Sequence, residues 1–124
     1  MFLTRIVSQV YGRSCSGAKK KYAPDGRLIA EFTLACGNGT VRYPTMYVKV
    51  CVWEDVAEKV YAVIDRKGMN VEVGGYLVAR LYEGKFGKTM IIELKEVREV
   101  RVYSREGILE QVLAGEKITE QGVR

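Results

Sequence analysis

The sequence predicts an all-β domain of five strands with one helix between the third and the fourth, and three observations carry that prediction. Apolar side chains recur at every second position, as in Leu28, Ala30, Phe32 and Leu34, or in Val48, Val50 and Val52, which is the period of a strand with one buried face. The period changes once, at Val56, Ala57, Val60, Tyr61, Val63 and Ile64, to that of a helix with one apolar stripe. Turn chemistry separates the segments, with Pro24-Asp25-Gly26 and Gly37-Asn38-Gly39 the clearest cases.

Taken in order, residues 2–12 supply the first strand. Residues 19–25 read as a basic loop closed by the Pro24-Asp25-Gly26 turn, and residues 27–36 as the second strand. A flexible connection through Arg42, Tyr43 and Pro44 leads into the third strand, Met46–Trp53. The helix spans residues 55–67. Glu54 and Asp55 stand where its N-terminus favours negative charge, Arg66 and Lys67 where its C-terminus favours positive charge, and Gly68 stops it. Residues 71–82 form the fourth strand, with Gly74-Gly75 marking a bulge or bend of the kind that closes a small barrel. Glu83 to Lys88 make a tight hairpin tip, and residues 90–103 the fifth strand. This order is that of the OB-fold, a five-stranded Greek-key barrel with one α-helix between strands 3 and 4. Residues 1–104 are expected to form that domain and residues 105–124 a short C-terminal extension, in which 109–117 read either as a short amphipathic helix or as a frayed end.

The outward faces of two strands point to function. Alternation turns Met46, Val48, Val50 and Val52 inward and leaves Tyr47, Lys49, Cys51 and Trp53 outside. The fourth strand repeats the arrangement, with Leu77, Ala79 and Leu81 inward and Tyr76, Val78, Arg80 and Tyr82 outward. Rings interleaved with cations suit a groove for single-stranded nucleic acid, because bases stack on rings and phosphates seek Lys or Arg. Rings are also ordinary fillers of sheets. Charge or exposure alone adds Arg13, Lys19, Lys20, Lys21, Arg27, Lys85, Phe86 and Lys88, for which a solvated surface is the competing reading.

Composition narrows the classes. The chain has 124 residues, net charge +5 and a pI near 9.2, enough for one domain and suited to a polyanionic partner. The positive excess lies before residue 104. Cys15, Cys36 and Cys51 are odd in number and lack CxxC spacing, so neither a disulfide framework nor a zinc site is indicated. No secretory leader or membrane-length apolar run is present, which implies a cytoplasmic, nucleoid-associated protein. Histidine is absent, removing the usual general base and the commonest metal ligand together. Gly74-Gly75 precedes a strand instead of a helix, the wrong context for a dinucleotide fingerprint. Catalysis, metals and cofactors are not expected.

Several motifs carry a resemblance. The run from Ala23 to Ala35, with its Pro-x-Gly turn and Phe32-x-Leu34-Ala35 ending, Tyr47 to Trp53 followed by Val56-Ala57-Glu58, and Lys67-Gly68 leading to Gly75-x-Leu77 resemble bacterial single-stranded DNA-binding proteins. The resemblance covers residues 1 to about 103. It implies sequence-tolerant binding of single-stranded DNA in replication, recombination and repair. By position it places stacking rings at Tyr47, Trp53 and Tyr82 and basic contacts at Lys49, Lys67 and Arg80. It also implies a homo-oligomer, a tetramer first and a dimer second, paired through first strands across a two-fold axis.

The chain departs from the family's pattern in three places. It stops at Arg124 without the long linker and acidic tip through which such proteins recruit partners, so replication or repair proteins would be reached by another route. Glu54-Asp55 replace a frequent Gly-Lys, and Tyr stands at two ring positions that are often Trp or Phe. An alternative is an OB-fold dimer of the primosomal replication type, bridging single strands and proteins. A protein scaffold and an RNA-binding OB protein are further possibilities.

Overall fold

The computed structural model describes residues 6–115. Its elements are β1 (Ile6–Ser14), β2 (Lys19–Tyr22), β3 (Leu28–Cys36), β4 (Met46–Trp53), α1 (Glu54–Val63), β5 (Asn70–Gly84), β6 (Gly87–Tyr103) and β7 (Leu109–Ala114). Residues 2–5 of the expected first strand and 116–124 of the expected extension lie outside the described residues.

Five strands close a ring. Antiparallel pairing joins β1 to β5, β5 to β6 and β4 to β3; β6 meets β4 in parallel, and β3 returns to β1 through Arg13↔Ala35 and Ser14↔Leu34. This is the OB barrel, with α1 between its third and fourth strands. Closure needs a close approach at Gly12, where a Cβ would stand 2.7 Å from the Ala35 carbonyl oxygen.

Alternation fills the barrel as the sequence implies. Ala30, Phe32 and Leu34 from β3, Val48, Val50 and Val52 from β4, and Val71, Val73, Leu94, Val100 and Val102 from β5 and β6 are buried together. Ala57 and Val60 of α1, with Ile64 just beyond it, join the same cluster. Each fully buried side chain of this size contributes about 1.5–3 kcal/mol relative to exposure.

Four local expectations are corrected. The basic run is a strand, since β2 pairs β3 with Lys19↔Glu31 and Lys21↔Ile29 in register. Cross-strand Glu31 offsets the charge that makes the segment read as a loop. The helix ends at Val63, one turn early, because Ile64 leaves helical geometry (φ −85°, ψ 82°) and its side chain is fully buried. Arg66 and Lys67 therefore follow the helix instead of capping it. Gly68 serves the turn into β5, left-handed at φ 89° and donating its N–H to the Ser14 carbonyl at 2.8 Å.

The third correction concerns β5 and β6. The expected bulge is present: the pairs Gly74↔Glu99 and Tyr76↔Lys95 leave residues 96–98 of β6 opposite Gly75. A Cβ on Gly75 would stand 2.8 Å from the Lys95 carbonyl oxygen. Beyond the bulge the two strands stay in the barrel as far as Ala79 and Ile92, where β6 still pairs β4, and then leave it as a ribbon ending in a two-residue turn, Lys85-Phe86. Leu77 is half-buried, but Ala79 and Leu81, expected in the core, are exposed, and so is Met46 at the start of β4. No layer covers that stretch among the described residues. Finally, 109–114 are neither helix nor fray. β7 pairs the end of β6 and carries Leu113 into the core, supplying backbone partners that β6 would otherwise lack there.

Candidate nucleic-acid interface

The outer wall of the barrel is built from the positions that alternate with the core. Tyr47, Lys49, Cys51 and Trp53 on β4 stand opposite Ala35, Thr33, Glu31 and Ile29 on β3. Lys49 pairs on its other side with Glu93 of β6, and Lys21 of β2 pairs with Ile29. The wall is thus continuous across four strands. Tyr47 is 62% and Trp53 42% exposed, so the wall carries rings that the core does not use.

Its cations are held by carboxylates. One oxygen of Glu31, Oε2, accepts from Lys21 Nζ at 2.7 Å and lies 3.4 Å from Lys49 Nζ. The Cys51 thiol donates to the same oxygen at 3.4 Å. Burial pushes the Glu31 carboxyl up, but the hydrogen bonds from Lys21 and Cys51 and the Lys49 charge outweigh it and hold it below the ordinary range. Burial, aided by Glu31, pushes the Cys51 thiol up to about 11. That thiol stays protonated at neutral pH and is a poor nucleophile. Arg80 Nε donates to Glu93 Oε1 at 2.7 Å. Arg27 donates to Asp25 at 2.8 Å and lays its guanidinium 4.5 Å from the centre of the Trp53 ring. Beside Trp53, Glu31 and Lys49 the wall opens into a cavity of about 420 Å³.

The ribbon extends this wall. Tyr82 is 52% and Phe86 98% exposed, and Lys85 and Lys88 have no carboxylate partner among the described residues. Tyr47, Lys49, Trp53, Arg80, Tyr82, Lys21 and Arg27 therefore form one tract, which Lys85 and Phe86 extend at the tip, whereas Lys88, directly across from Glu83, lies on the other face of the ribbon with Leu81.

Other candidates stand apart. Tyr76 takes the outward side that alternation implies, beside Val7 and Lys95, but is buried there: Arg98 lies over its ring and donates from Nη2 to its hydroxyl at 2.7 Å. Lys20 projects to the helix side, 4.5 Å from the centre of the Tyr61 ring. Lys19 does not stand apart in this way: it shares the wall face with Lys21, directly across from Glu31. Arg13 and Lys67, far apart in sequence, meet at the opposite end of the barrel, where with Arg66 and Arg105 they line a polar cavity of about 680 Å³. Sequence reasoning passed over Glu31, Glu93 and Asp25. The available signal was the outward place of Glu31 between buried Ala30 and Phe32, but its partners depend on β2–β3–β4 register.

The model of the single-strand binding protein family matches residues 7–103, from the start of β1 to the end of β6. The chain belongs to the single-strand binding protein family. Binding of single-stranded DNA is the general activity of that family, whose members are non-enzymatic and typically oligomeric. No curated protein matches the chain. The barrel and the match agree with the family resemblance drawn from the motifs. Among the described residues no helix is long and apolar enough to cross a membrane.

Proposed function

We propose that this member of the family binds single-stranded DNA with little regard to sequence, by stacking bases on Trp53, Tyr47, Tyr82 and Phe86 while Lys49, Arg80, Lys85 and Lys88 meet phosphates. The observation that carries the reading is the tract itself: exposed Tyr47, Trp53 and Tyr82 share the outer side of wall and ribbon with Lys49 and Arg80, and Lys85 and Phe86 extend it at the tip. Stacking reads the face of a base and phosphate contacts read the backbone, so neither discriminates sequence. The protein would protect and present transient single strands during replication, recombination and repair, in the cytoplasm at the nucleoid.

The assembly we assign is a homo-oligomer, with a tetramer ahead of a dimer. Its support is the edge of β1. Over residues 6–12 that strand is paired on one side by β5 and open on the other among the described residues, with Ile6, Val7 and Tyr11 exposed. An open apolar edge is satisfied by pairing with a second copy.

Alanine substitution tests the stacking mode. Trp53→Ala and Tyr82→Ala each weaken binding of labelled oligo-dT by about 1–3 kcal/mol, measured by anisotropy. Full affinity in the double variant overturns the reading.

A further inference from the structure

The wall offers its cations to phosphates, yet in the unbound protein it has already spent them on its own carboxylates. Glu31 is the clearest case. It projects from β3 between β2 and β4, and a single oxygen lies 2.7 Å from Lys21 and 3.4 Å from Lys49. Its side chain is 25% exposed and that of Lys49 32%, so the triad sits at the wall surface, where a strand would pass. The same group of side chains lines the cavity beside Trp53, so a base stacked on that ring brings its phosphates to the triad. Arg80 and Glu93 repeat the pattern at 2.7 Å. At the ribbon tip, by contrast, Lys85 and Lys88 have no such partner among the described residues.

We propose that Glu31 acts as an intramolecular competitor for the phosphates of a bound strand, holding Lys21 and Lys49 in an ion triad that binding must open, and so sets both the affinity and the salt dependence of the wall. This rests on the wall being the single-strand site. A phosphate that takes either lysine leaves the Glu31 carboxylate short of a counter-charge and close to a second anion, which like-charge repulsion penalises. The carboxylate then recruits a cation from solution, and that uptake cancels part of the counterion release that drives binding. Glu31 therefore lowers affinity and flattens the salt response while leaving the stacking ring untouched. A strand held mainly by the wall would also leave readily, as a protein that must be cleared from DNA requires.

The test compares wild type, Glu31→Gln and Glu58→Gln, the last removing an exposed carboxylate from the helix with the same change in net charge. Binding of oligo-dT and oligo-dC is followed by Trp53 fluorescence across a salt series, with circular dichroism confirming the fold of each variant. Glu31→Gln is expected to bind both oligonucleotides about two- to fivefold tighter at low salt, the range exposed ion pairs span. Its log–log salt slope steepens by about 0.7 for each phosphate newly neutralised, and Glu58→Gln stays near wild type. Equal or weaker binding by Glu31→Gln, with wild type binding normally, overturns the inference alone. A loss confined to oligo-dC also overturns it, because Glu31 would then be accepting from the cytosine amino group instead of competing for lysines. Absence of binding by all three folded proteins overturns the inference together with the function on which it rests.

Discussion

The barrel wall and the β5–β6 ribbon present the same kinds of side chain under opposite constraints. On the wall, Trp53 lies against Arg27, and Lys21 and Lys49 are held by Glu31; at the root of the ribbon Arg80 is held by Glu93 of the wall. On the ribbon, Phe86 is 98% exposed, and Lys85 and Lys88 have no carboxylate partner among the described residues. A strand meeting the wall finds rings already in place but must break ion pairs to reach the charges. At the ribbon the charges are available, but side chains must be ordered on binding, at about 0.5–1.5 kcal/mol for each. One site thus divides its costs between exchange of partners and loss of freedom, and the two halves should respond differently to salt, acid and mutation.

The bulge within the β5–β6 pair offers the largest effect on stability. Gly75→Ala places a Cβ 2.8 Å from the Lys95 carbonyl oxygen, where backbone must move, and should cost about 1–3 kcal/mol in urea unfolding. Unchanged stability would mean that the bulge accommodates a side chain. Next in size is the tip. Lys85→Gln with Lys88→Gln should flatten the salt slope for oligo-dT by about 0.7 for each lysine while leaving thermal stability alone. A slope that does not move would remove the tip from the phosphate path.

The smallest effect concerns acid. The Glu31 carboxyl is held below its usual value of 4.5 in the folded protein, so its ion pairs add stability that is present above pH 4.5 and is lost as pH falls through the lower folded value. Wild type should therefore lose stability more steeply than Glu31→Gln in that acid range, by differential melting, and parallel curves would show the triad to be without energetic weight.

Much of this was legible in the sequence, and the failures share a cause. The alternation of Ala30, Phe32 and Leu34 against Val48, Val50 and Val52 reported the barrel interior, because one buried face forces period two. Gly74-Gly75 reported the bulge for a steric reason that acts locally. The same alternation misread Leu77, Ala79 and Leu81, since period reports which side a residue takes and not whether another layer covers that side. Met46 failed likewise. Tyr76 keeps its outward side but is covered by Arg98, which only the bulged register of β6 brings over its ring. Glu31 was missed as an ion partner, and Arg13 was not seen beside Lys67, because both depend on pairing between segments distant in sequence. The wall rings, Tyr47 and Trp53, were readable because a single strand carries them with its own inward partners as reference.

The central claim is that the wall around Trp53 receives single-stranded DNA, and the sole tryptophan of the chain reports on it directly. Oligo-dT titrated at two salt concentrations, with duplex of equal length as the control, should quench Trp53 fluorescence with the single strand alone and less at the higher salt. Unchanged fluorescence in the folded protein at concentrations where anisotropy shows the oligonucleotide bound would contradict the account, placing the strand elsewhere on the barrel.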